Sequence, residues 1–172
     1  MKIQLKNFGP IDFFEFDTKT QMHFIFGENN IGKSYAISAV YLILKNFKEN
    51  IFPTAKLNRD DMRTIELLIK NKLNGNVSGD VSDEFTEIFS SLFSNTFLPS
   101  INNSFATSFN SIQSLSNRLS NEPLSIHLKG KSAEFIIGVN EENVFIVKDI
   151  KLDFKIIADN INTNKQPKFF NK

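Results

Sequence analysis

The sequence predicts an α/β fold with α+β character, and three observations carry that reading. A short apolar run, Met22 to Phe26, leads through a glycine-rich turn into a helical stretch that reaches about Lys48. Period-two alternation marks both ends of the chain, and helical spacing fills the middle. At 172 residues the chain is long enough to bury a core. Residues 1–158 are expected to form a single lobe, with a helical insertion at about 54–121 and a strand meander at about 124–157. Residues 159–172 read as a polar tail.

Each element has a local reason. Ile3 and Leu5 alternate with Gln4 and Lys6, and Gly9-Pro10 forces a turn before Ile11 to Phe16 resumes extended structure. That predicts an N-terminal strand hairpin. Thr18 to Gln21 makes a second turn, and the nearly continuous apolar run Met22 to Phe26 predicts a strand buried on both faces. In the helix that follows, Ile37, Val40, Tyr41 and Leu44 share one face. Ile65, Leu68, Ile69 and Leu73 mark a second helix from Asp60, stopped by Asn74-Gly75. Phe85, Ile88, Phe89, Leu92 and Phe93 mark another from about Ser82 to Ser94, which Pro99 is expected to break. The next carries Phe105, Phe109, Ile112, Leu115 and Leu119. After Pro123 the period returns to two. Leu124, Ile126 and Leu128 are followed by Phe135, Ile137 and Val139, then a hairpin connection at Asn140 to Asn143. Phe145 and Val147, then Leu152, Phe154 and Ile156, complete an antiparallel meander.

Composition removes several function classes. The 20 basic and 19 acidic residues nearly cancel, so charge gives no ground for a nucleic-acid coat or a polybasic membrane binder. The absence of cysteine excludes disulfides, thiol chemistry and cysteine-ligated zinc. His23 and His127 are too far apart in sequence to suggest a histidine metal site, and no stretch reads as a signal peptide or membrane span. A soluble, cytoplasmic protein is expected. Only three of the basic residues are arginines (Arg59, Arg63 and Arg118), which is few for an enzyme that clamps a phosphoryl group in transfer.

One motif carries chemistry. Gly27-x-x-x-x-Gly32-Lys33-Ser34 is a full match to the phosphate-binding loop pattern. A triphosphate is densely negative and needs donors from several directions without bulky side chains in the way. Gly27 and Gly32 permit a backbone path that turns successive N–H groups inward as an anion nest. The N-terminus of the next helix adds partial positive charge at the same point. Lys33 would reach the β- and γ-phosphates, and the Ser34 hydroxyl would ligate Mg²⁺.

The run Leu5 to Ile11, the strand into Phe24-Ile25-Phe26, and Gly27-Glu28-Asn29-Asn30-Ile31-Gly32-Lys33-Ser34-Tyr35 resemble the start of an ABC-type ATPase. The group resembled is SMC/RecF/OLD, AAA-labelled proteins of DNA repair and phage defence, and Asn29 falls on an asparagine common in its loop. The match covers about residues 1 to 45. The resemblance implies the N-terminal, Walker A lobe of a P-loop NTPase, with ATP and Mg²⁺ as cofactors. Gly27, Glu28, Asn29, Asn30, Ile31, Gly32, Lys33, Ser34 and Tyr35 would surround the phosphates. Lys6, Asn7 and Phe8 would lie where the base is approached, and Ser34 would be the metal ligand. It further implies a second ATPase lobe or protomer in a dimer or larger complex, an effector protein, and DNA as a partner. No membrane is implied.

Other features of that family are missing from the sequence. A Walker B strand should be apolar and end in Asp-Glu. The nearest strings, Phe145-Ile146-Val147-Lys148-Asp149 and Ile156-Ile157-Ala158-Asp159, read as meander strands ending at turns. Ser114-Leu115-Ser116-Asn117-Arg118 only echoes a signature segment, and Gln113 sits in an expected helix, which argues against a role on Mg²⁺. No catalytic residue is therefore expected within this chain, and the lobe reads as incomplete. His23 is expected to be hydrogen-bonded, His127 to lie on a polar strand face, Asp60-Asp61 to cap a helix, and Glu141-Glu142 to be a solvated hairpin tip. A GTPase would need an Asn-Lys-x-Asp base reader, and Asn164-Lys165-Gln166-Pro167 lacks the Asp. A nucleoside-type kinase would need more arginines. The alternative that stays open is a split or truncated fragment acting as a non-enzymatic nucleotide-binding or scaffold module.

Overall fold

The computed structural model describes residues 1–28, 31–50, 67, 79–116, 120, 122–153, 155 and 157–158. It is α+β, and the chain divides into two compact units, Met1–Lys56 with Ser90–Asp153, and Leu57–Phe89 with Phe154–Lys172.

The first unit is built on a five-stranded, wholly antiparallel sheet. Strands β1 (Lys2–Phe8) and β2 (Ile11–Asp17) form the expected hairpin, and β4 (Ser125–Lys129), β5 (Ala133–Val139) and β6 (Phe145–Leu152) form the expected meander. The two blocks join edge to edge because β1 also pairs with β4, giving the order β2-β1-β4-β5-β6. Ile3 lies opposite Phe16 on one side and Leu128 on the other, and Leu5 lies opposite Phe14 and Ile126. That register puts Ile3, Leu5, Ile126, Leu128, Phe135 and Ile137 into the core. Gln4, Lys6, Ser125, His127 and Glu134 share the opposite face.

Two helices cover the apolar face. Helix α1 (Lys33–Asn50) packs on β1 and β2 through buried Ala36, Ala39, Val40 and Ile43. A helix at Leu98–Phe109, α3, packs on α1 and β6. Between α1 and α3 the buried Asn46 is fully used. Its Nδ2 donates to Leu42 O (2.8 Å) and Ser104 Oγ (3.1 Å), and its Oδ1 accepts from Ser100 Oγ (2.5 Å). Asn102 of α3 clamps the edge strand β6, donating to Phe145 O (3.1 Å) and accepting from Phe145 N–H (2.7 Å).

In the second unit, the described residues include β3 (Gly79–Asp80) paired antiparallel with β7 (Ile157–Ala158), and the start of α2 (Ser82–Leu92). Asp80 caps that helix, its Oδ1 accepting from Ser82 N–H (3.0 Å) and Ser82 Oγ (2.6 Å). Of the helix expected from Asp60 to Leu73 only Leu67 is described, and it is helical. Asp60, Asp61, the three arginines and the tail at 159–172 lie outside the described residues, as do Phe154 and Ile156 of the expected meander.

Three expectations are corrected. Residues 22–26 are not a strand: no strand neighbours them among the described residues, and Met22, Phe24 and Phe26 are 66%, 72% and 83% exposed. Their pattern asks for burial on both faces, but the described chain supplies no hydrogen-bonding edge and covers only the His23 and Ile25 side in part. Pro99 does not break a helix. A π-helical segment, Phe93–Phe97, links α2 to α3, and Pro99 sits in the first turn of α3, where its missing N–H costs nothing. The helix expected to reach Leu119 ends at Phe109, because Asn110 adopts the left-handed conformation (φ 65°) and Ser114 Oγ donates to the carbonyls of Phe109 (2.9 Å) and Ser111 (2.7 Å). Ile112 and Leu115 are still buried, through a 3₁₀ turn at Gln113–Leu115.

Candidate functional site

The glycine-rich turn lies at the N-terminus of α1, as its sequence requires. Gly32 immediately precedes the helix and its carbonyl accepts the Ala36 N–H (2.9 Å). Both loop glycines are in the positive-φ region, Gly27 at 149° and Gly32 at 91°, where side chains are strained. Gly32 is required sterically too. A Cβ there would stand 2.6 Å from Ile11 Cγ1 and 2.8 Å from Pro10 Cγ. The β1–β2 turn therefore presses directly on the base of the loop.

Lys33 curls back over this loop. Its Nζ donates to Gly27 O (2.7 Å) and to Glu28 O. The ammonium is thus held at the loop by backbone carbonyls rather than by an acidic side chain. The first turn of α1 contains no acidic residue. The partial positive charge of the helix end and the Lys33 cation are left without a neighbouring carboxylate in that turn. Ser34 exposes its hydroxyl one residue further on. Asn29 and Asn30 lie outside the described residues.

Tyr35 completes the junction. Its ring approaches within 3.1 Å of the point a Cβ on Gly9 would occupy, and it lies 5.2 Å from the ring of Phe109. Gly9 itself donates its N–H to Leu115 O (2.5 Å), and Phe8 bridges to Ser116. The end of α3, the 3₁₀ turn, the hairpin turn and the phosphate-type loop form one contiguous corner. No local pattern marks this corner, because its contacts join residues distant in sequence, Gly32 with Ile11, Tyr35 with Gly9 and Phe109, and Gly9 with Leu115; Gly9-Pro10 signals a turn without saying what the turn touches.

The other candidates are distributed as follows. Phe8 is fully buried against Phe105 and Phe109, and Asn7, at φ 51°, is nearly so, its Nδ2 donating to Pro123 O (3.5 Å). Lys6 lies on the open sheet face opposite Ser125. On that face Ser125 Oγ and His127 Nε2 are 3.3 Å apart, and burial, helped by the charge of Lys6, holds the imidazole below its ordinary pKa. His23 stacks on Phe16 (4.0 Å) and its Nε2 bonds Asp17 O (2.9 Å). Asp149, the acid of one apolar string, is in edge strand β6 and pairs with Lys151 (3.3 Å). Gln113 is in the 3₁₀ turn and not in an α-helix, so its expected helical setting no longer counts against it.

Among the described residues no group of three or more acidic or histidine side chains could hold a metal, and no helix is long and apolar enough to cross a membrane. Compared with known families, curated proteins and solved structures, the chain matches none.

Proposed function

We propose that this chain binds the phosphates of Mg-ATP, as the Walker A lobe of an ATPase similar to the SMC/RecF/OLD group. The observation that carries the proposal is the Lys33 ammonium, folded over a loop bounded by two positive-φ glycines at a helix end free of first-turn acids. A polyphosphate is the ligand whose chemistry this donor set fits, because backbone N–H groups, a point cation and a helix end all favour concentrated negative charge. Gly27 to Tyr35 form the phosphate side of the site. Of the three residues that the resemblance sets at the base side, Phe8 is fully buried and Asn7 nearly so, which leaves Lys6, on the open sheet face.

The residues also fit the metal. Ser34 offers an exposed hydroxyl beside the place of the phosphates, and it would hold Mg²⁺, which neutralises phosphate charge when bound. Lys33 would exchange its carbonyl partners for phosphate oxygens, and Gly32 would keep the backbone close enough for its N–H groups to reach. The Walker B acids, which would hold Mg²⁺ and polarise an attacking water, are expected from another lobe or chain, in an assembly acting in DNA repair or phage defence.

The test is equilibrium binding of Mg-ATP beside the Lys33→Ala variant, with turnover measured on the same samples. Binding is expected for the wild type and lost in the variant, with turnover near background in both. Equal binding by Lys33→Ala would sink the assignment of the loop. Brisk hydrolysis by the chain alone would sink the claim that its acid comes from elsewhere.

A further inference from the structure

A phosphate loop binds charge and leaves the base of a nucleotide to other residues. Burial takes Phe8 and Asn7 out of that role, and Lys6 stands on the sheet face that α1 does not cover. None of the three turns a flat surface toward the loop. Tyr35 is placed to do so. It follows Ser34 directly in the first turn of α1, and it is 42% exposed.

The ring is held in place from two sides. Gly9, at φ 57°, carries the hairpin turn beneath it, and a Cβ there would stand 3.1 Å from Tyr35 Cδ1. A side chain at that position would push the ring away. Phe109 lies 5.2 Å from Tyr35 with 34° between planes, and Phe109 is itself set edge-on against the buried Phe8, at 5.7 Å and 81°. The aromatic series Phe8, Phe109, Tyr35 thus runs from the core to the surface and ends beside the loop. The same hairpin turn ties ring and loop together, since Pro10 and Ile11 pack against Gly32.

We infer that the exposed face of Tyr35, backed by Phe109, is the platform on which the base of the nucleotide stacks. The inference rests on the phosphate-binding reading of the loop and adds the base contact to it. An aromatic face binds the π-surface of a heterocycle and gains nothing from a bare polyphosphate. A ring already fixed by its neighbours also loses little freedom when the base arrives. Lys33 and the loop then select for negative charge, and Tyr35 selects a nucleoside triphosphate over an inorganic one.

The test compares Mg-ATP with Mg-tripolyphosphate, each titrated calorimetrically into the chain. Tyr35→Leu should weaken Mg-ATP about tenfold and leave Mg-tripolyphosphate unchanged. Retained tripolyphosphate binding shows at the same time that the variant is folded. Tyr35→Phe, which keeps the ring, should behave as the wild type. Tyrosine emission gives a direct readout, because the chain has no tryptophan and only two tyrosines. In a Tyr41→Phe background, Mg-ATP should quench Tyr35 and Mg-tripolyphosphate should not. Full Mg-ATP affinity in Tyr35→Leu, a loss shared equally by both ligands, or equal quenching by both would each overturn the platform and leave the phosphate-binding reading standing. Unchanged affinity for both ligands in Lys33→Ala would overturn that reading, and the platform with it.

Discussion

Strand β1 and residues 22–26 are both short, apolar and extended, yet they stand in opposite surroundings. β1 has a hydrogen-bonded neighbour on each edge, and its Ile3, Leu5 and Phe8 are fully buried. Residues 22–26 have no strand on either edge among the described residues, and three of their five side chains stand in solvent. Helix α1 repeats the contrast on one element. Ala36, Ala39 and Ile43 are buried against the sheet side, whereas Ile37 and Tyr41 are 44% and 62% exposed. An apolar run specifies a conformation and a demand for cover, and neighbours elsewhere decide whether that demand is met.

Stability measurements can break this contrast. Phe8→Ala should cost about 3–5 kcal/mol in urea unfolding, because the ring is fully buried among other aromatics. Phe24→Ala should change stability by no more than about 0.5 kcal/mol, the range of an unpacked surface site. A loss at Phe24 comparable to that at Phe8 would mean the segment is covered in solution. Gly32→Ala should come next, at about 1–3 kcal/mol, from backbone strain at φ 91° and the clash with Ile11. Asn46→Ala should cost a similar ~1–3 kcal/mol by stranding buried hydrogen-bond partners on α1 and α3.

The smallest effects are electrostatic and belong to the open sheet face. His127 has a lowered pKa, mainly from burial and secondarily from Lys6, so the folded chain binds fewer protons there than the unfolded one. Stability should therefore fall as pH drops below the unfolded value of 6.5 toward the folded one, and His127→Gln should flatten that slope in melting curves. Glu15 shifts down because Lys2 and Gln4 donate to its carboxylate. Its contribution is present above the unfolded value of 4.5 and lost as pH falls through the lower folded value. Because that pair is exposed, Glu15→Gln should alter the acid limb least of all.

Much of the fold was legible because alternation and turn chemistry are local. Gly9-Pro10 and Asn140 to Asn143 mark their turns by residue type, and Ile126, Leu128, Phe135 and Ile137 declare one face of a sheet. The join between β1 and β4 was not legible, since both strands are equally apolar toward any partner. The end of α3 is hidden in the sequence because Ile112 and Leu115 keep helical spacing while Asn110 and Ser114 take the backbone away from the helix. At the candidate site the loop was plain from Gly27, Gly32, Lys33 and Ser34. The packing of Pro10, Ile11 and Tyr35 around it depends on tertiary contacts that no local pattern encodes.

The β1–β4 pairing also sets an order of events during synthesis. Lys2 pairs with Lys129, so β1 waits for more than a hundred further residues before its second edge can close. The hairpin of β1 and β2 can form early, but a two-stranded ribbon is marginal alone. Such long-range closure slows folding, and the emerging chain must carry one edge of β1 unpaired until the meander arrives. The strand made first in this sheet is among the last to be secured.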